Sequence, residues 1–100
     1  MLTSSQSPAL NWARGSDVYY VYVLKSGAGE IYYGFTSDLK RRLAQHKRGE
    51  NVSTKGREWT LVYYEAFRSE GDARERERQL KRHGQAKRWL RERIERSLEV

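Results

Sequence analysis

The chain has 100 residues, with 20 Lys and Arg against 13 Asp and Glu, a net charge of +7 and no cysteine. The excess positive charge favours a polyanionic partner, nucleic acid above all, while the absence of cysteine excludes disulfides, thiol nucleophiles and thiolate metal sites. No apolar run approaches the roughly 20 residues of a membrane-spanning helix, so we expect one compact soluble domain, a cytoplasmic location and no membrane partner.

The N-terminal segment differs in composition from the rest of the chain. It is rich in serine, contains Pro8 and Gly15, and lacks both the basic and the apolar regions of a secretory signal. We therefore expect residues 1–16 to form a flexible leader and residues 17–98 to form the domain.

Two β-rich runs open the domain. Residues 18–25 and 30–36 are dominated by Val, Ile, Leu, Tyr and Phe, and residues 26–29 between them form a short segment with two glycines. This pattern predicts a β-hairpin.

Side chains alternate along each predicted strand. Tyr20 and Tyr22 therefore share one face of the first strand, and Tyr32 and Gly34 share one face of the second. Core packing accounts for any one of the seven tyrosines, so their placement has functional meaning only together with other polar groups.

A first helix is predicted from the N-cap Asp38 to about Arg48, where Gly49 ends it. Residues 49–58 are polar, contain two glycines and predict a loop. Basic residues cluster on this helix and loop, and we expect them to bind phosphates: Lys40, Arg41, Lys47, Arg48, Lys55 and Arg57.

Two polar groups lie on the apolar stripe of this helix. Arg42 and His46 follow Leu39 and Leu43 in the spacing that defines one helical face. For an isolated pair the simpler interpretation is structural, with Arg42 extending past Leu39 to solvent and His46 bonded to the backbone.

Aromatic and β-branched residues over 59–67 predict a third strand. Ser69 then opens a second helix that reaches about His83, and a third helix runs to about Leu98. An apolar stripe on the third helix is expected to pack against the sheet or the second helix: Ala86, Trp89, Leu90, Ile94 and Leu98. The order ββαβαα lacks a parallel crossover between the first two strands, so we expect an α+β fold with a small three-stranded antiparallel sheet flanked by helices.

The second helix places one carboxylate on its apolar side. Glu77 shares a face with Ala73 and Leu80, whereas Glu75 is expected to face solvent among arginines. An inward carboxylate needs a partner, which is either the cation of an ion pair or a hard divalent metal ion. The helix alone favours the ion pair.

Two tripeptides resemble the motifs that name the GIY-YIG nuclease family. Tyr20-Val21-Tyr22 is followed after nine residues by Tyr32-Tyr33-Gly34. Tyr20 stands where the family has Gly, and Tyr33 stands where it has Ile. Gly34 matches the family's glycine and is expected to permit close backbone approach.

The resemblance continues along about residues 17–82. Arg42 and His46 lie eight and twelve residues beyond Gly34, at the family's spacing, and Glu77 aligns with the family's metal-binding glutamate. Several members have an Asn after this glutamate, and this chain has none.

The resemblance implies a divalent cation, Mg²⁺ or Mn²⁺, held by Glu77, phosphate oxygens and water. It implies that Tyr22 is the general base and Tyr32 an orienting partner, although the sequence leaves open which phenol has which role. Arg42 would hold the phosphate, and His46 would position the nucleophile or donate to phosphate.

These features together predict a metal-dependent endonuclease that hydrolyses phosphodiester bonds in nucleic acid, with DNA favoured over RNA. The alternative is a nucleic-acid-binding module that keeps the fold without catalysis, which would leave the inward Glu77 unexplained. Whether the substrate is single- or double-stranded stays open, and we expect a monomer or a weak dimer.

Overall fold

A computed structural model describes residues 18–49 and 58–99 of the chain. These residues form an α+β fold in which helices cover both faces of a three-stranded antiparallel sheet, as the sequence predicts. The elements in chain order are β1 (Tyr19–Ser26), β2 (Ile31–Thr36), α1 (Leu39–Lys47), β3 (Trp59–Phe67), α2 (Glu70–Arg82), α3 (Gly84–Arg93) and a 3-10 segment (Ser97–Glu99). The expected leader and positions 50–57 of the expected loop lie outside the described residues. Within the described ranges, no helix has the length and apolar character needed to cross a membrane.

β1 lies at the centre of the sheet, paired antiparallel with β2 on one side and with β3 on the other. Tyr22 stands opposite Gly34 of β2 and opposite Tyr64 of β3. The pairing with β3 is irregular between Val23 and Leu24. Because strands on both sides hold β1, the backbone that carries Tyr22 is fixed more firmly than that of an edge strand.

Two apolar clusters confirm the alternation predicted for the hairpin. Tyr20, Tyr22 and Leu24 pack on one face of the sheet with Leu39 of α1. The opposite face packs against α2 and α3 in a second cluster, whose buried members are Val21, Val23, Tyr33, Ala73, Leu80, Leu90 and Ile94. The core is therefore two layers of side chains, one on each face of the sheet.

α1 begins and ends at the residues that its sequence predicts. The Asp38 side chain accepts a hydrogen bond from the Arg41 backbone N–H at 3.1 Å, which satisfies a donor that the first helical turn leaves free. At the other end, Gly49 has φ 73° and donates its N–H to the His46 carbonyl at 3.1 Å, an arrangement that glycine adopts without steric cost. These caps set the helix register that turns His46 toward the sheet.

α2 begins at a side-chain cap and is held by its apolar face. The Ser69 hydroxyl accepts from the Asp72 backbone N–H at 3.3 Å, and Ala73 and Leu80 are fully buried. His83, in an extended conformation, separates α2 from α3. The break between the two helices therefore lies where the sequence predicts it.

A part-buried ionic cluster ties α2 to β3. The Arg76 guanidinium donates to both carboxylate oxygens of Glu65, at 2.8 to 3.1 Å, and the Tyr63 hydroxyl donates to the same carboxylate at 2.8 Å. This geometry satisfies the Glu65 carboxylate from two elements at once. It also fixes the rotation of α2 about its axis, and with it the direction of Glu77, one residue beyond Arg76.

α3 is shorter than predicted. It ends at Arg93 rather than near Leu98, because Ile94 leaves the helical conformation at φ −111° and ψ 28°. Leu98 nevertheless packs against the core, and its carbonyl accepts a hydrogen bond from the Lys25 ammonium. Apolar residues between Ala86 and Leu98 thus reach the core from a helix, a turn and a 3-10 segment instead of from one continuous helix.

The prediction that Trp89 belongs to the buried stripe of α3 is wrong. Trp89 is 61% exposed, whereas Leu90 is 2% exposed. Neighbouring residues on an α-helix point about 100° apart, so a helix that directs Leu90 and Ile94 into the core turns Trp89 outward.

Candidate active site

A buried hydrogen bond joins the first strand to the first helix. Oη of Tyr22 lies 2.7 Å from Nε2 of His46, and the two residues are only 1% and 3% exposed. The sheet pairing of β1 positions Tyr22, and the capped register of α1 positions His46. His46 thus bonds through Nε2 to another residue of the expected site.

Gly34 provides the space that the Tyr22 ring occupies. A Cβ atom built on Gly34 would lie 2.3 Å from Cζ and 2.4 Å from Oη of Tyr22, far inside the van der Waals contact distance. The sequence predicts close backbone approach at this glycine, and the group that approaches is the phenol of Tyr22 on the neighbouring strand. Any side chain at position 34 would displace the hydroxyl from its place beside His46.

The Tyr32 ring extends the aromatic cluster towards the edge strand. Its centroid lies 5.2 Å from the His46 ring, 6.2 Å from the Tyr22 ring and 6.2 Å from the Trp59 ring. The structure thus brings Tyr22, Tyr32 and His46 together, as predicted. Trp59 was predicted only as a strand residue, because nothing in its spacing links it to the hairpin.

Burial shifts the pKa values of Tyr22 and His46 in opposite directions. Burial raises the pKa of Tyr22 well above its ordinary value, the neighbouring Tyr32 raises it further, and the Arg42 guanidinium only partly opposes this. Burial also lowers the pKa of His46, and Arg42 lowers it further. At neutral pH the site therefore holds a protonated phenol beside a neutral imidazole.

Arg42 lies one helical turn before His46 and is half-buried. Its charge affects the pKa of both Tyr22 and His46, and its place on α1 puts it on the same helical face as His46. Within the described part of the chain, no carboxylate forms an ion pair with Arg42. The guanidinium is therefore available for an anion that enters the site.

Glu77 reaches the same site from α2. Its side chain is 21% exposed, and its carboxylate lies 3.1 Å from the ammonium of Lys81, whose side chain is 49% exposed. The charge of Glu77 contributes to the raised pKa of Tyr22. The ion pair considered for Glu77 thus exists, but it is an open i, i+4 pair, a class that contributes only about 0.3–0.5 kcal/mol to stability. Glu75 is solvent-facing, as predicted, and pairs with Arg78.

The donor set around Glu77 suits a hydrated divalent cation. Among residues 18–49 and 58–99, no group of three or more His, Asp or Glu side chains could hold a metal ion. A closed, all-protein site is thus absent from this part of the chain, but Mg²⁺ commonly binds through one or two carboxylates, substrate phosphate and water. The part-open Glu77 carboxylate fits that mode of binding.

Four of the six basic residues predicted to bind nucleic acid lie in the described part of the chain. Lys55 and Arg57 lie outside the described residues. α1 contains no acidic residue, and its surface and C-terminal end expose Lys40, Arg41, Lys47 and Arg48. The outer surface of α1 is therefore positively charged, and its contact with nucleic acid stays a prediction.

Sequence reasoning missed Lys81 as a member of the site. Its ammonium lies 3.1 Å from Glu77 and 5.9 Å from the centre of the Tyr32 ring. The spacing of four residues between Glu77 and Lys81 on one helix was the available signal.

Both departures from the family's tripeptides are accommodated in the core. Tyr20 is buried and packs edge-to-face with Tyr64, at 5.9 Å between ring centroids. Tyr33 packs with Val21 and Val23 on the other face of the sheet, and its buried hydroxyl has no hydrogen-bond partner among the described residues.

Comparison with known proteins finds a match to the GIY-YIG catalytic domain over residues 18–90. A UPF0213 protein of Haloquadratum walsbyi is 34% identical over 74 residues, 72% of this chain and 83% of its own length. A UPF0213 protein of Halobacterium salinarum is 37% identical over 71 residues, 69% of this chain and 92% of its own length. The solution NMR structure of a UPF0213 protein from Bacillus halodurans is 33% identical, with a TM-score of 0.48, covering 73% of this chain and 80% of that one. The extent of the domain match and the identity to these relatives show that the chain belongs to the GIY-YIG family, whose catalytic domain is of the nuclease type.

Proposed function

We propose that this protein is a divalent-metal-dependent endonuclease that hydrolyses phosphodiester bonds in nucleic acid, with DNA as the favoured substrate. The observation that carries the proposal is the buried hydrogen bond between Tyr22 and His46, with Arg42 and Glu77 beside it. A module that only binds nucleic acid needs exposed cations and aromatic rings. It has no need of a phenol buried against a neutral imidazole.

Tyr22 acts as a proton carrier rather than as a preformed phenolate. Its raised pKa keeps it protonated at neutral pH, so it accepts a proton only as it gives one away. With the His46 ring proton on Nδ1, Nε2 accepts the Tyr22 hydroxyl proton while Oη takes a proton from the attacking water. The lowered pKa of His46 keeps Nε2 free to accept at neutral pH.

The remaining residues position the phosphate and the nucleophile. Arg42 has no carboxylate partner in the described part of the chain, so its planar guanidinium binds phosphate oxygens through two parallel hydrogen bonds. Tyr32 packs against both Tyr22 and His46 and orients the pair. Gly34 leaves the Tyr22 hydroxyl in place beside its acceptor.

Glu77 is the residue that would hold the divalent cation. Its carboxylate is partly open and close enough to Tyr22 to affect the pKa of the phenol. A bound Mg²⁺ or Mn²⁺ stabilises negative charge on the phosphate and on the leaving oxygen.

A cleavage assay with end-labelled oligonucleotides tests the proposal. Single- and double-stranded DNA and RNA of one sequence are each incubated with Mg²⁺, with Mn²⁺ and with a chelator. The proposal expects internal cleavage of DNA that requires the metal ion. Binding without cleavage of every substrate would instead support the non-catalytic module, and equal cleavage in the presence of chelator would contradict the metal requirement.

A further inference from the structure

The Lys81 ammonium joins two elements of the site. It lies 3.1 Å from Oε2 of Glu77 on its own helix and 5.9 Å from the centre of the Tyr32 ring on β2. The second distance is at the outer limit for attraction between a cation and an aromatic ring. The Lys81 side chain is 49% exposed and the Glu77 side chain is 21% exposed, so the lysine is the more accessible partner of the pair.

The fold does not depend on this ion pair. α2 is capped by Ser69, packed through Ala73 and Leu80, and tied to β3 by Arg76. An exposed lysine has a flexible stem and a strongly hydrated charge, so its ammonium can leave the carboxylate without disturbing these contacts. The pair between Lys81 and Glu77 is therefore reversible.

A second ion pair on α2 shows what an ordinary surface pair looks like. Arg78 and Glu75 are 50% and 48% exposed, so both partners are open to solvent. In the pair of Lys81 and Glu77, by contrast, the carboxylate is much less exposed than the ammonium, and both groups lie beside the phenols of the site. This asymmetry indicates that Lys81 covers a carboxylate belonging to the site.

We propose that Lys81 is an exchangeable counter-ion of Glu77, which a divalent cation displaces and which then binds a phosphate oxygen of the substrate. The inference rests on the proposed function, because it assigns Glu77 to the metal ion. A divalent cation and an ammonium that bind the same carboxylate repel each other, so metal binding favours release of the ammonium. The released ammonium is already beside Tyr32 and needs only a rotation of its own side chain to meet a phosphate that enters the site.

Exchange of this kind couples metal binding to substrate binding. In the absence of metal, Glu77 neutralises Lys81 and the site attracts phosphate less strongly. With metal bound, Lys81 adds one phosphate contact to that of Arg42. The metal ion should therefore tighten nucleic-acid binding, and a measurable part of that effect should require Lys81.

Calorimetric titration with Mn²⁺, without nucleic acid, tests the first half of the exchange. We expect Lys81→Met to bind Mn²⁺ roughly threefold to tenfold more tightly than the unmodified protein, because the substitution removes both the competing ion pair and the repulsion between the ammonium and the divalent ion. Arg78→Met removes the same charge from the same helix and should change the affinity by less than about twofold. Glu77→Gln should abolish binding, which locates the ion. Thermal unfolding of each variant checks that the fold is retained.

Oligonucleotide binding in a Tyr22→Phe background, in which cleavage is expected to be slow, tests the second half. With Mn²⁺ present, Lys81→Met should weaken binding and reduce the salt slope of the association constant by about one. Without Mn²⁺, Lys81→Met should have little effect on binding. Arg78→Met should change the oligonucleotide affinity by the same factor with and without Mn²⁺.

Two results would overturn the exchange. Equal Mn²⁺ affinities of the unmodified protein and Lys81→Met would show that Lys81 does not compete at Glu77. An equal loss of oligonucleotide binding with and without Mn²⁺ would show a permanent phosphate contact. Absence of Mn²⁺ binding by the unmodified protein would overturn the metal-dependent function as well, so the two failures are distinguishable.

Discussion

The Tyr22 phenol occupies the space that a side chain at position 34 would fill, so the tyrosine and the glycine form a matched cross-strand pair. Tyr22 is buried and its hydroxyl is bonded to His46. One pair of facing positions on β1 and β2 therefore determines where the central hydroxyl of the site lies. The same relationship makes Gly34 as important to the proposed chemistry as the side chains themselves.

Gly34→Ala should impair both the fold and the activity. The new methyl group would lie 2.3 Å from Cζ of Tyr22, and overpacking of this kind costs roughly 1–3 kcal/mol of unfolding free energy. Gly27→Ala is the control, because nothing lies within 4 Å of its Cβ position. Urea unfolding and the cleavage rate measure the two effects. Full stability and full activity of Gly34→Ala would contradict the packing of Tyr22 over this glycine.

Acid should inactivate and destabilise the protein through His46. The pKa of His46 is lowered in the folded state, so below about 6.5, the pKa of an unperturbed histidine, the unfolded chain binds more protons than the folded one. The free energy of unfolding should then fall as pH falls, until the pH is below the folded-state pKa. Cleavage should fall around the lowered folded-state pKa of His46, at the acid end of this range, because a protonated imidazole cannot accept the Tyr22 proton.

The other histidine provides the control for this pH dependence. His83 is exposed at the junction of α2 and α3, and His83→Gln should leave the pH profiles of cleavage and of unfolding unchanged. A shift of either pH profile in His83→Gln would count against the assignment to His46. A loss of cleavage that begins well above pH 6.5 would do the same.

Glu77→Gln should abolish metal-dependent cleavage and leave the stability nearly unchanged. Among the described residues, the substitution removes one ion pair, the partly exposed pair with Lys81, which contributes a few tenths of a kcal/mol. Nucleic-acid binding should persist, since most of the affinity comes from lysine and arginine. Glu75→Gln removes the solvent-facing carboxylate of the same helix and should be silent. Cleavage by Glu77→Gln, or an equal loss from Glu75→Gln, would refute Glu77 as the metal ligand.

Arg76→Met should destabilise the protein through a contact remote from the chemistry. It leaves the Glu65 carboxylate, 18% exposed, without its bidentate partner, a loss that we expect to cost roughly 1–3 kcal/mol. Arg78→Met breaks an exposed pair and should cost much less. Chemical denaturation of both variants measures the difference, and equal stabilities would show that the Glu65 cluster does not hold α2.

The features that could be predicted from the sequence are set by the alternation or helical spacing of side chains, or by residues close together in the chain. Alternation placed Tyr20 and Tyr22 on one face of β1, and the caps at Asp38 and Ser69 marked the starts of two helices. Helical spacing likewise placed Arg42 and His46 beside the sheet. Each of these depends on residues within one element.

The features that escaped prediction depend on neighbours from other elements. The steric role of Gly34 requires knowing that Tyr22 faces it across the hairpin. α3 ends at Arg93, and the Leu98 carbonyl beyond it accepts a hydrogen bond from Lys25 of β1, a contact between elements far apart in the chain. Lys81 joins the site because α2 packs beside β2. The spacing along α2 indicates the pair of Lys81 with Glu77, but it does not place Lys81 beside Tyr32.

The cleavage rate of Tyr22→Phe is the most direct test of the central claim that the hydroxyl bonded to His46 carries the reaction. The substitution keeps the ring, its contact with Gly34 and its packing in the core, and removes only the oxygen that lies 2.7 Å from Nε2. Single-turnover cleavage of DNA with Mg²⁺ should slow by on the order of 10²- to 10⁴-fold, while thermal unfolding shows a retained fold and DNA binding is unchanged. Cleavage by Tyr22→Phe at the unmodified rate would show that Tyr22 is a core residue and that the proposed chemistry is wrong.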